Sequence, residues 1–190
     1  MNGALLVGLG NPGSRYRASR HNLGADVIEQ FAARHAISLI SEHALFSFGA
    51  GRIDDHPVGV AIPRTFMNDS GRAVAALLAT HPFLPESMLV VFDDMDLPLG
   101  RLRFRRRGGD GGHLGVRSII DALRTDRFWR LRLGIGRPGP SGDAVEHVLA
   151  VAPKEPALDS MKQQALEALQ CLVVEGPDAA MNRYNQRPAE

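Results

Sequence analysis

Gly8-Leu9-Gly10-Asn11-Pro12-Gly13-Ser14-Arg15-Tyr16-Arg17-Ala18-Ser19-Arg20-His21-Asn22 follows directly on the apolar run Ala4-Leu5-Leu6-Val7. An aliphatic run that ends in glycine, asparagine and proline reads as a buried strand opening into a loop. In α/β folds, loops at strand ends hold the chemistry. No acid precedes Asp26, so this loop is polar and basic. Gly8-x-Gly10-x-x-Gly13 matches the dinucleotide fingerprint, but its surroundings do not. That site needs the third glycine to open a helix and an acid at the end of the next strand. Here Pro12 interrupts the turn, and Ser14 to His21 separate Gly13 from the helical pattern. Asp26 and Glu29 would lie inside that helix, and the next strand carries no acid until Asp54. A nicotinamide-dependent oxidoreductase is thereby disfavoured. The glycines are read instead as letting the loop turn tightly and approach a substrate.

Outward from this loop, short apolar runs alternate with helical periodicity. Strands are predicted over 4–9, 45–52, 57–62, 88–93, 101–106 and 130–136. Helices are predicted over 22–35, 69–80, 114–124, 143–149, 155–174 and 177–186, with Leu23, Val27, Ile28 and Phe31 on one face of the first. Asp69-Ser70 is placed to cap the second helix and Asn22 the first, while Pro12, Pro63, Pro98 and Pro138 mark strand exits. Runs 45–52 and 57–62 are close enough for a hairpin, and the others need crossovers. The expectation is an α/β fold: a single domain over residues 1–190, with a mixed twisted β-sheet flanked by helices.

The 190 residues suffice for one core, and the 44% hydrophobic and 23% charged fractions are those of a soluble globular chain. Cys171 is the lone cysteine, so an internal disulfide and a cysteine metal cluster are excluded, which suits a reducing cytoplasm. Its apolar setting marks it as a buried helix position. No apolar run approaches the ~20 residues a bilayer span needs, and from Met1-Asn2-Gly3-Ala4 no signal peptide is expected. Net charge is +1, yet residues 101–137 carry eleven Arg against three Asp, and residues 138–190 have a balance of −4. An Arg-rich composition explains the choice of twenty Arg over two Lys, but not their clustering. Clustered guanidinium forks suit a phosphate backbone.

Four further segments carry polar groups at places where α/β folds put ligands. Asn11 starts a turn before Pro12, and His21-Asn22 stands at a helix entry. Pro63-Arg64-Thr65-Phe66-Met67-Asn68 leaves a strand, with Asn68 able both to donate and to accept. Met88 to Phe92 is a buried strand ending in Asp93, Asp94 and Asp96. These acids suit a hard cation, a solvated loop, or the fixing of a histidine's tautomer. Gly108-Gly109-Asp110-Gly111-Gly112-His113 leads into a helix, an arrangement that favours anions. Just upstream, Arg101, Arg103 and Arg105 would project from one strand face.

Taken in order, these segments resemble bacterial-type peptidyl-tRNA hydrolase, from Leu6 to about Asn185. The motifs are Gly-Leu-Gly-Asn-Pro-Gly at 8–13, Arg-His-Asn at 20–22, Thr-Phe-Met-Asn at 65–68, Asp93-x-x-Asp96-Leu97-Pro98, Gly111-Gly112-His113 and Arg132-Leu133-Gly134-Ile135-Gly136. The resemblance implies hydrolysis of the ester between a peptide and the 3′ ribose of tRNA, in the cytoplasm, by a monomer. His21 corresponds to the general base that activates water, and Asp93 to the acid that holds it. Asn11 and Asn68 correspond to peptide-positioning amides, Asn11 being tied to rejection of unblocked aminoacyl-tRNA. Tyr16 and Phe66 correspond to residues lining the site for the tRNA end. The Arg103 and Arg105 row and helix 114–124 would meet tRNA phosphates, with His113 near the site but not catalytic. No metal, no cofactor and no membrane are expected, and no Gly-x-Ser-x-Gly elbow is present. One departure stands out: Leu114 occupies a tRNA-contacting position where many members carry Asn, and leucine supplies no amide. Asp110 adds a negative charge to the same loop. A non-catalytic RNA-binding relative of the same fold is the alternative these two residues motivate.

Overall fold

The computed structural model describes residues 3–41, 43–139, 142–152 and 155–186; Met1 and Asn2, part of the N-terminal reading above, lie outside them. The six apolar runs become β1 (Ala4–Gly8), β2 (Phe46–Ile53), β3 (His56–Pro63), β4 (Met88–Asp94), β5 (Leu102–Arg105) and β6 (Trp129–Gly134). They form one sheet in the order β2-β3-β1-β4-β6-β5. β1 pairs parallel with β3 and β4, and β4 parallel with β6. β2 with β3 and β5 with β6 are antiparallel pairs at the two edges. The expected hairpin forms, turning through Asp54-Asp55 with Asp54 at φ 48°, a left-handed position that Asp tolerates.

Strand alternation sorts the core into two layers. Leu6, Leu89, Val91, Leu131 and Leu133 face α1 (Leu23–Arg34) and, further along the chain, the long helix Pro156–Glu175. Leu5, Val7, Val90 and Phe92 face α2 (Ser70–Thr80) and α3 (Leu114–Leu123). α4 (Ala144–Leu149) precedes that long helix, α5, and α6 (Pro177–Tyr184) follows it. Central strands covered on both faces are apolar throughout, which is why β1 and β4 read as continuous hydrophobic runs. No described helix is long and apolar enough to cross a membrane.

Predicted element ends shift by no more than two residues, but some local roles differ. β5 is shorter than predicted, so Arg101 and Arg106 lie outside it. Asp69 makes no side-chain cap on α2 and pairs instead with Arg72 at 3.1 Å. Short 3-10 turns at Ser14–Tyr16, Arg20–Asn22, Met67–Asp69 and Pro85–Ser87 escape a periodicity reading. The glycine loop differs most. A Cβ on Gly8 would lie 2.4 Å from the Gly24 carbonyl oxygen, and one on Gly24 would lie 2.2 Å from that of Val91. Gly8 therefore lets the start of α1 sit directly on the sheet backbone, rather than letting the loop reach a substrate. Of the three loop glycines only Gly13, at φ 99°, occupies a left-handed position.

From β1 the chain runs to β2 and β3 on one side, then crosses to β4 on the other. Their parallel carboxyl ends diverge there and leave a crevice, the position where open α/β sheets bind ligands.

Candidate active site

Asp93, near the carboxyl end of β4, is 3% exposed. Two histidines reach it from opposite faces of the sheet. His21, from the turn that opens α1, places Nδ1 2.9 and 3.1 Å from the two Asp93 oxygens. His113, which caps α3, places Nε2 3.2 Å from Oδ1. Burial pushes the Asp93 carboxyl up, but hydrogen bonds from His113 and His21 outweigh it and hold the group well below the ordinary carboxylate range. Asp93 is therefore an anion that only accepts.

That fixes both tautomers. His113 Nδ1 accepts from the Val116 amide at 3.3 Å, so its proton sits on Nε2 and points at Asp93. Both ring nitrogens of His113 are engaged. His21 donates through Nδ1, and its Nε2 has no partner among the described residues. Of the two, only His21 can take a proton from something in the cleft.

His21, Asp93 and His113 offer ligand atoms within 4.8 Å of one another, close enough for an ion. The hydrogen-bond pattern does not fit one. A neutral His113 bound through Nε2 would carry its proton on Nδ1, facing the Val116 N–H.

Asn11 is held by a residue that sequence reasoning read as a cap. Asn22 makes no cap; its Oδ1 accepts from the Asn11 amide and its Nδ2 donates to the Asn11 carbonyl, both at 2.9 Å. Asn11 Oδ1 in turn accepts from the Met67 amide at 2.8 Å, tying the loop after β1 to the turn after β3. The Asn11 side-chain NH₂ has no partner among the described residues. Two asparagines eleven residues apart give no sequence signal for such a pairing.

These groups line a cleft of about 420 Å³ together with Phe66, Asn68, Asp110, Leu114, Val145 and Val148. Asn11, His21, Asn68, Asp93, Phe66, His113 and Leu114 are thus brought together. Tyr16, Arg103 and Arg105 lie outside the cleft lining. Tyr16 stands edge-on to Phe66 at 6.5 Å between ring centres. Arg103 and Arg105 project from edge strand β5 opposite Arg132 and Arg130. Burial, then the positive charges of Arg103 and Arg132, lower the Arg105 pKa. Neither Arg103 nor Arg105 has a carboxylate partner among the described residues, whereas Arg132 pairs with Asp94.

The remaining acids have local duties. Asp94 also accepts from the Asp96 amide at 2.8 Å, and Asp96 pairs with Arg137 at 2.6 Å. Asp110 accepts from Arg117 at 3.0 Å and from the Gly112 amide at 2.6 Å. Its charge is offset within the loop, and Arg117 first, then Gly112, lower its pKa.

Comparison with known proteins gives a family for the chain. A family model described as Peptidyl-tRNA hydrolase matches residues 5–190. A curated peptidyl-tRNA hydrolase from Synechococcus sp. (strain JA-3-3Ab) is 47% identical over 184 residues, covering 95% of this chain and 82% of its own. That of Chloroflexus aggregans is 44% identical over 184 residues, with coverages of 95% and 98%. The crystal structure of peptidyl-tRNA hydrolase from Acinetobacter baumannii superposes with a TM-score of 0.90 at 37% identity, covering 98% of this chain and 96% of that one.

Proposed function

The chain belongs to the peptidyl-tRNA hydrolase family and cleaves the ester joining peptide to tRNA, and we propose that His21 does so as general base on a water molecule. The observation that carries this reading is the free Nε2 of His21, on a ring whose Nδ1 is committed to a buried anion.

The water oxygen attacks the ester carbonyl while His21 Nε2 takes its proton. Asp93 stabilises the resulting imidazolium through Nδ1–H. The tetrahedral intermediate expels the ribose 3′ oxygen, which recovers the proton from His21, giving a peptide acid and free tRNA. An ester with a ribose leaving group needs no covalent nucleophile on this route. Asn68, exposed at the cleft, donates to the developing oxyanion, and the Asn11 amide donates to a peptide carbonyl. His113 bonds the same Asp93 oxygen as His21, with the two ring centres 4.8 Å apart, and is a positioning residue.

Tyr16 and Phe66 receive the terminal adenosine against their perpendicular rings. Arg103 and Arg105 meet phosphates of the acceptor arm, supported by their lack of carboxylate partners and by the Arg132 and Asp94 contact that links the row to the cleft. We read the enzyme as a cytoplasmic monomer, since its substrate arises on ribosomes and one chain supplies every cleft residue named. Nothing favours a non-catalytic RNA-binding role: the catalytic groups are present and bonded.

His21→Ala tests the reading. Release of N-acetyl-amino acid from N-acetyl-aminoacyl-tRNA is expected to fall at least about 10²-fold, with tRNA binding kept. Full activity in that variant would remove His21 as the base.

A further inference from the structure

Six large hydrophobic side chains are exposed among the described residues, and three of them, Phe66 (57%), Leu114 (49%) and Val145 (63%), line the same cleft. Single exposed hydrophobics need no explanation, but their concentration at one site does. The polar groups of the cleft come from the loops after β1 and β3, the end of β4 and the loop before α3. The exposed aliphatic ones come from helices: Leu114 opens α3 beside His113, and Val145 and Val148 belong to α4, a helix with no buried residue. The cleft therefore has a polar reacting part and an aliphatic wall.

Peptidyl-tRNA presents two apolar groups near the ester: the terminal adenine and the side chain of the esterified residue. The adenine finds a ring partner in Phe66, which already stands against Tyr16. Leu114, Val145 and Val148 offer no ring face, and their aliphatic wall suits an aliphatic side chain. The 3′ end is common to all tRNAs, so only the side chain lets such a wall discriminate. On the premise of the hydrolase reading above, we propose that Leu114, Val145 and Val148 form a subsite that makes the enzyme prefer peptidyl-tRNA whose ester-linked residue is aliphatic.

The test holds the tRNA body constant and charges it with N-acetyl-leucine or with N-acetyl-asparagine, which has nearly the same shape. The wild-type kcat/KM is expected to favour the leucyl ester about tenfold, the range that one apolar contact in a pocket provides. Leu114→Asn keeps the branched outline of the side chain but removes its apolar character. It is expected to bring the ratio close to one, chiefly by slowing the leucyl ester. Val145→Ser, on α4 and well exposed, is expected to lower the ratio without depending on α3. A wild-type ratio near one would overturn the subsite. Equal slowing of both esters in L114N would also overturn it, since the wall would then serve the adenine. Inactivity of the wild type on both esters would instead remove the hydrolase reading, and the subsite with it.

Discussion

Asp93 ties the site together, and its environment makes a signed prediction. Its folded pKa lies below the ordinary ~3.9, so its ionisation stabilises the fold above that pH. The contribution is lost as pH falls through the folded value. Asp93→Asn is expected to flatten the acid limb of a stability-against-pH curve measured by urea unfolding. It is also expected to lower kcat by about 10³–10⁴-fold, because His21 loses the anion that fixes its tautomer. Asn22→Ala tests a contact of a different kind. Losing two hydrogen bonds to the Asn11 main chain is expected to cost about 2 kcal/mol of loop order. It should appear as a raised KM for N-blocked substrate with a smaller change in kcat. Asn22 and His113 show where sequence reading stops. Each stands at a helix entry, where capping is the local explanation, and their partners lie eleven and twenty residues away. Nothing in a linear pattern reports such distances. His21, Asp93, Asn11 and Asn68 are assigned their proposed roles through the family motifs, since spacing alone leaves several readings open for each.

At the scale of elements, the strands and helices were legible because continuous apolar runs and helical periodicity follow directly from burial. The 3-10 turns were not, being too short to show a period. The start of α1 gives a test of why Gly8 and Gly24 stand where they do. Gly→Ala inside a helix normally stabilises by up to about 1 kcal/mol. Gly24→Ala is expected to do the opposite, costing about 2–3 kcal/mol in urea unfolding, because its new methyl would meet the Val91 carbonyl. That backbone contact also sets the height of the turn carrying His21, so kcat is expected to fall with stability. The dinucleotide-like glycine pattern thus reports close helix-on-sheet packing at Gly8.

Across the whole molecule, charge is arranged so that the basic edge of the sheet lies next to the cleft. Arg103→Glu is expected to weaken tRNA binding and to reduce the slope of log K against log salt by about one, as one phosphate contact is lost. An unchanged slope would show that this edge does not meet the tRNA. The sequence disclosed the clustering of Arg, but not the strand order that puts β5 at an edge, because order depends on pairings between distant segments.

That order has a consequence for how the enzyme comes into being. β6 lies between β4 and β5, so β5 has no neighbour in the sheet until residues 129–134 exist. While still on the ribosome, a chain that has made Asp93 and His113 lacks the strand that pairs with β4 across Asp93. The enzyme is therefore expected to be inactive until that strand has been made. Chains ending before Trp129 are expected to release no peptide from N-blocked aminoacyl-tRNA, although they contain every residue of the proposed reaction.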